Sequence, residues 1–295
     1  MKNKKLLIVG AGFLGQQLFE FFNEKYHTSI LNTPEIDITD IVLLESSINS
    51  INPDIVINAA AFTNVDEAEL GINQGKVFDI NVRGPLNLAV LAEKYHFKFV
   101  HISTGMIFDG VGRNNLGFTE KDIPNPTCYY AWTKAWCDNA LLVNSPNVLI
   151  TRIHMPVSSE SNQKNLLYRI INYDQAYTGK NTITVVEDYL SALDKLLEKN
   201  AAGIFHVVNN GSISAYDIIK LMQKQGIIDK NKKIKKINRM QMDKIFKSNK
   251  RPIRPDSILS NKKLLQAKIK MPHIEGSLQK CILELKEKLD GNCTN

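Results

Sequence analysis

The sequence predicts a doubly wound α/β fold, a parallel sheet covered on both faces, with a smaller C-terminal α/β domain after it. Three observations carry this. Apolar runs of strand length alternate with longer amphipathic stretches, which is the pattern of crossover units. A glycine-rich turn stands between the first run and the first stretch. The rhythm shortens and becomes polar after Arg152.

The strand candidates are Leu6 to Val9, Ser29 to Leu31, Ile55 to Asn58, Phe99 to Ser103 and Val148 to Arg152. Between them the spacing predicts helices over Phe13 to Asn23, Asp40 to Ser50 (with Asp40 as its cap), Gln74 to Tyr95 and Tyr129 to Val143. Beyond the polar run Ser158 to Lys164, a helix is expected over Glu187 to Asn200 and a strand over Ile204 to Val208. Ser214 is expected to cap a helix over Ala215 to Lys224, and a last helix to run from Ser277 to Leu289 after a basic loop. The expected division is 1–155 for the first domain and 156–295 for the second, with 187–208 returning to the first.

Composition narrows the class of protein. The 295 residues are 43% hydrophobic and 23% charged, which is ordinary for a globular chain and excludes a disordered or fibrous one. No run approaches the roughly 20 apolar residues of a membrane span, so a cytoplasmic address and no membrane partner are expected. Cys128, Cys137, Cys281 and Cys293 lack the spacing of a zinc or redox site and read as free thiols, with no metal. The formal charge of +7 gathers in Lys230 to Lys236 and Lys244 to Arg254. The short run Lys230 to Lys236 carries no aromatic stacking residue, which favours a solvated face near a phosphorylated substrate over nucleic acid.

The chemistry begins at Gly10-Ala-Gly12-Phe13-Leu14-Gly15. A strand, a GxGxxG turn and a helix in that order form a pyrophosphate cradle: Gly10 makes the turn, Gly12 admits the ligand and Gly15 lets the helix pack on the strand. That is the Rossmann arrangement. The second strand ends Leu31-Asn32-Thr33, which carries neither the acid that favours NAD nor an arginine for NADP. Asp37 and Ile38 read equally as the edge of an adenine site and as a turn before the Asp40 cap. Ala59, Ala60 and Ala61 leave room at the end of the third strand, and Ser103-Thr104-Gly105 presents hydroxyls at the end of the fourth.

Tyr130 and Lys134 are four residues apart on a helix and so share a face. A lysine beside a phenol is expected to lower the phenol's pKa, fitting it to exchange a proton with a substrate oxygen while Thr104 holds that oxygen. His154 has a structural reading, and Trp132 and Trp136 read as packing residues.

These motifs resemble the extended short-chain dehydrogenase/reductases, in particular those like dTDP-4-dehydrorhamnose reductase. The resemblance rests on Pro53 to Ala61, Val65 to Glu69, Asn81-Val82, Ser103-Thr104 with Phe108 to Gly110, Tyr130 to Lys134, Arg251-Pro252 and Leu259 to Leu264. A second set is similar to the UDP-4-keto-6-deoxyglucose 3,5-epimerase/4-reductases of UDP-rhamnose synthesis: Thr104 to Phe108, Arg152 to Ser159, Asn181 to Val185 and Gly203 to Asn209.

The resemblance implies a Rossmann domain with a substrate-binding cap, an NADPH- or NADH-dependent 4-reduction of a nucleoside-diphosphate 4-keto-6-deoxyhexose, and an acetamido sugar as a variant. It implies Thr104, Tyr130 and Lys134 as catalytic residues. Around the cofactor it places Gly10, Gly12, Phe13, Leu14, Gly15, Asp37, Ile38, Ala59 to Ala61, Asn81, Tyr130, Lys134 and Met155. Around the sugar nucleotide it places Thr104, Gly105, Met106, Asn165 and Arg254. A homodimer is the assembly it suggests. Two positions depart: the bifunctional enzymes carry a cysteine where this chain has Met106 and a lysine where it has Arg169. Neither residue is suited to move protons at neutral pH, so reduction without epimerisation is expected. Val9 also stands where that family has its first glycine. The alternatives are the bifunctional epimerase/reductase and a non-catalytic regulatory subunit of the same fold.

Overall fold

A computed structural model describes residues 4–112 and 115–292, and Cys293 lies outside them. The chain divides into two compact units. The first comprises 1–107, 123–152 and 196–205, and the second 108–122, 153–195 and 206–295. Beside the expected boundary at 155, the segment 108–122 joins the second unit, and the returning stretch is 196–205.

In chain order the first unit begins β1 (Lys5–Val9), α1 (Phe13–Asn23), β2 (His27–Leu31), α2 (Ile41–Ile51) and β3 (Ile55–Asn58). It continues through α3 (Val65–Ala68), α4 (Gly71–Phe78), α5 (Gly84–Tyr95), β4 (Lys98–Thr104), α6 (Tyr129–Asn144) and β5 (Leu149–Ile153). The second unit supplies α7 (Leu166–Ile170), β6 (Gln175–Tyr177), β7 (Lys180–Asn181) and most of α8 (Val186–Glu198). The chain then forms β8 (Gly203–His206), β9 (Ile213–Ser214), α9 (Ala215–Lys224), β10 (Lys235–Ile237), α10 (Arg239–Ser248), α11 (Lys262–Gln266) and α12 (Ile274–Asn292).

The central sheet has the order β2-β1-β3-β4-β5-β8. β1 runs parallel to β2 on one side and to β3 on the other, and β3 runs parallel to β4. Strand order therefore reverses beside β1, which puts the ligand crevice of a doubly wound fold at the carboxyl ends of β1 and β3. β1 and β3 are almost wholly buried, as expected of strands covered on both faces. Leu7, Val9, Val56, Phe99 and Ile150 share one core with Leu44, Ile48, Leu88, Leu91, Cys137 and Leu141 from the helices. A separate core in the second unit joins Val157, Leu167, Ile183, Ile218, Met222, Leu278 and Ile282.

Asp40 caps α2 as expected, accepting from Val42 N and Leu43 N. Two expectations are corrected. The single helix over Gln74 to Tyr95 is interrupted by a π-helical turn, Asp79–Arg83. Pro85 has no N–H to give the carbonyl four residues back, so the helix widens there, and Gly84 N reaches Asp79 O instead. The basic loop also contains structure: β10 pairs with β6, and Asn238 and Gln241 cap α10 reciprocally. Dense lysines hide the weak apolar period of that helix. No helix among the described residues is long and apolar enough to cross a membrane.

Candidate active site

The turn after β1 is shaped by steric necessity. Gly10 has φ +101°, and a Cβ there would lie 2.7 Å from Ala60 N. A Cβ on Gly15 would lie 1.9 Å from Gly10 O, whereas one on Gly12 would meet nothing within 4 Å. The backbone of Gly10 thus packs against the end of β3, while the space over Gly12 stays open. Gly12 is the N-cap of α1, and no side chain caps that end. Phe13, Leu14 and Gly15 form its first turn, where backbone N–H groups and the helix dipole favour a phosphate. These features fit a dinucleotide pyrophosphate.

Asn81 sits in the π-helical turn and is fully buried. Its side chain accepts from Phe62 N at 2.8 Å and donates to Phe62 O at 3.2 Å, clamping the loop after Ala59 to Ala61. It also donates to Thr133 Oγ1 at 3.3 Å, which ties the loop to α6. The Asp37 carboxylate is spent on the turn before α2, accepting from Thr39 N and Oγ1 at 2.8 Å. Ile38 is buried, and its side chain occupies the space a Cβ on Gly84 would need.

Thr104 ends β4 and Tyr130 lies on the first turn of α6, and Thr104 is the neighbour that lowers the pKa of the Tyr130 phenol. Thr104 Oγ1 also accepts from Met106 N at 3.1 Å, which fixes the short helical turn of Gly105 and Met106. Met106 packs beside Tyr130, Cys128, Ala131, Ala68 and Val77. Lys134 is buried on the same helix as Tyr130, but its Nζ lies 2.9 Å from His101 Nε2 and donates to Ile102 O at 3.0 Å.

This corrects one expectation. Burial pushes the Tyr130 phenol above its usual range, Cys128 and Asp138 add to the rise, and Thr104 opposes it. Lys134 is not among the groups that act on the phenol, and its Nζ is engaged by His101 and Ile102 O. At neutral pH Tyr130 is a protonated acid.

Met155, Asn165, Arg169, Arg254 and His154 belong to the second unit. Met155 has a positive φ of 43° and packs against that unit's core. The Asn165 side chain caps α7 and donates to Ser158 O and Glu160 O, so it is a structural clamp. Arg169 is exposed, and the Arg254 guanidinium lies 5.9 Å from the Phe246 ring centroid. His154 donates through Nδ1 to Thr182 O at 2.9 Å. Trp132 and Trp136 are each 43% exposed, resting on Tyr129 and Phe78, so they pack at the surface and not in a core. His101 was not anticipated as part of the site. Its one sequence signal is a histidine inside a buried strand.

A reversing parallel sheet, an open glycine turn at its switch point and a Thr104, Tyr130 and Lys134 cluster define a Rossmann-type protein of the short-chain dehydrogenase/reductase class. The family described as RmlD substrate binding domain matches residues 4–287, and the chain belongs to it.

It is 34% identical over 227 residues to a dTDP-4-dehydrorhamnose reductase from Aggregatibacter actinomycetemcomitans, covering 72% of this chain and 76% of that one. Among solved structures it is similar to a UDP-rhamnose synthase from Acanthamoeba polyphaga mimivirus, with TM-score 0.86, 24% identity and coverage of 96% and 99%. It is also similar to a dTDP-4-dehydrorhamnose reductase from Bacillus anthracis in complex with NADP, with TM-score 0.84, 26% identity and coverage of 96% and 99%.

Proposed function

We propose that this chain is an NADPH- or NADH-dependent 4-reductase of a nucleoside-diphosphate 4-keto-6-deoxyhexose, acting in rhamnose-type deoxysugar biosynthesis. The observation that carries the reading is the buried Tyr130 phenol, kept protonated and acted on by Thr104, on the first unit whose glycine turn fits a dinucleotide. The relatives named for the same reaction support the substrate class.

Bound NAD(P)H supplies the hydride that reduces the ketone. Gly12 and the first turn of α1 hold the pyrophosphate. Thr104 donates to the ketone oxygen, and Tyr130 Oη–H gives its proton to that oxygen as it becomes an alcohol. The high pKa that burial imposes keeps this proton in place until negative charge develops. Lys134 holds the nicotinamide ribose. Arg254 and the basic face of the second unit meet the sugar's diphosphate. We further read the protein as a cytoplasmic homodimer, with the exposed Val90, Trp132, Trp136 and Val143 of α5 and α6 available to a second copy.

Oxidation of NADH or NADPH, followed by loss of nicotinamide absorbance, tests this against dTDP- and UDP-4-dehydrorhamnose and an acetamido analogue. Turnover is expected with one of them, and Tyr130→Phe should lower it by about 10² to 10⁴-fold in a folded protein. Near-normal turnover in that variant would refute the assignment.

A further inference from the structure

Asn58 at the end of β3, His101 inside β4 and Lys134 on α6 form a buried polar chain. Ala60 N donates to Asn58 Oδ1 at 3.1 Å, which fixes the amide. Asn58 Nδ2 then faces His101 Nδ1 at 3.2 Å. An amide nitrogen only donates, so Nδ1 is the acceptor, and a neutral imidazole with a bare Nδ1 carries its proton on Nε2. That nitrogen lies 2.9 Å from Lys134 Nζ. An ammonium has three donors and no acceptor, so a charged Lys134 would set donor against donor. A neutral amine resolves the conflict: its lone pair accepts from Nε2–H while one of its own N–H groups donates to Ile102 O.

We propose that His101 is a positioning residue for Lys134, an Nε2–H donor whose tautomer is set by Asn58 and which holds the lysine as an accepting amine. Burial acts the same way on both groups, keeping His101 well below its ordinary pKa and lowering that of Lys134. Lys134 then gains a proton only by leaving His101, or by moving the imidazole proton to Nδ1 against the Asn58 amide.

Ala60 N, which anchors Asn58, is the atom a Cβ on Gly10 would strike. The polar chain from Lys134 therefore ends on the residue against which the glycine turn packs. The groups facing the imidazole are Lys134 and Cys137 of α6, the latter with Sγ 3.8 Å from Nε2. Asp138 follows on the same helix, paired to Arg152 of β5, and Asn58 comes from β3. Burial pushes the Cys137 thiol up to about 12, so it stays protonated.

The reductase reading enters only through what Lys134 does, because the tautomer can be read without activity. Nitrogen-15 histidine NMR of the whole chain near neutral pH is expected to find the His101 proton on Nε2. In Asn58→Asp, a carboxylate can accept from both Ala60 N and Nδ1–H, so the proton should move to Nδ1 and Lys134 should charge. The basic limb of the kcat profile should then rise by about one pH unit, with KM for the sugar nucleotide unchanged. His101→Leu should lose at least about tenfold in kcat, and His101→Gln, which keeps an Nε2 donor, should recover most of it. A wild-type proton on Nδ1, or an unaltered tautomer in Asn58→Asp, overturns the proposal. A switched tautomer with an unshifted pH profile overturns the positioning role. A correct tautomer in a chain that reduces none of the sugars counts against the reductase reading alone.

Discussion

Arg152 Nε donates to Asp138 Oδ2 at 2.8 Å, with both side chains at most 2% exposed. The pair bolts β5 to α6 directly beneath the cluster that holds Lys134, and Asp138 acts electrostatically on Tyr130, Lys134 and Cys137. Removing Asp138 takes away the carboxylate that faces the buried guanidinium. Asp138→Ala should therefore cost about 3 to 5 kcal/mol in stability, measured by urea unfolding. Replacing both residues by apolar side chains of similar volume should recover much of that loss.

The glycine turn offers two substitutions with opposite consequences. Gly10→Ala forces a side chain into a left-handed backbone and onto Ala60 N, so it should destabilise the fold by about 1 to 3 kcal/mol. Gly12→Val meets open space and should leave the melting temperature nearly unchanged. It should still weaken NADPH or NADH binding by at least tenfold, about 1.4 kcal/mol, because the branched side chain occupies the approach of the pyrophosphate. Cofactor fluorescence titration of a folded Gly12→Val protein with wild-type affinity would remove the case for this loop.

Acid should destabilise the protein through its buried histidines. Desolvation lowers His154 from 6.5 to about 4, against a smaller opposing effect of its bond to Thr182. A base with a lowered folded pKa binds more protons when unfolded. Its stability contribution is thus complete above pH 6.5 and is lost as pH falls from there towards 4. The span corresponds to about 3 kcal/mol, and His101 acts in the same direction. His154→Asn keeps a donor for Thr182 O and removes the titration, so its unfolding free energy should fall less steeply over that range. An identical acid limb would show that His154 is not responsible.

The elements that the sequence revealed are those in which local signals agree with tertiary burial. α1 and α9 begin and end where expected because their apolar periods are clear, with α1 opening at the glycine turn and α9 behind the Ser214 cap. α10 was hidden because its interior has no buried residue, leaving the Asn238 and Gln241 capping pair as the one local cue. The places of Thr104 at the end of β4 and of Tyr130 at the start of α6 were legible from motif order. The engagement of Lys134 by His101 was not, since it depends on residues 33 positions apart meeting inside the first unit. The capping of α7 by Asn165, a position expected on the substrate by resemblance, was equally unannounced by the sequence.

Reduction without epimerisation is the remaining expectation. Exchange next to a ketone needs a base that removes a carbon-bound proton and an acid that returns one on the other face, each within hydrogen-bond reach. Met106 occupies the turn after Thr104, half-buried against Tyr130 and Cys128, and its thioether has no proton to give. Arg169 is exposed on α7, and a guanidinium stays protonated at neutral pH. Tyr130 keeps its proton through burial, which suits an acid and disqualifies it as a base at neutral pH. Incubation with an unepimerised 4-keto-6-deoxyglucose nucleotide in deuterated water, without NADPH or NADH, should leave C3 and C5 unlabelled. Met106→Cys with Arg169→Lys is expected to introduce measurable exchange. Deuterium appearing in the wild-type reaction at a rate near that of reduction would mean that other side chains move these protons.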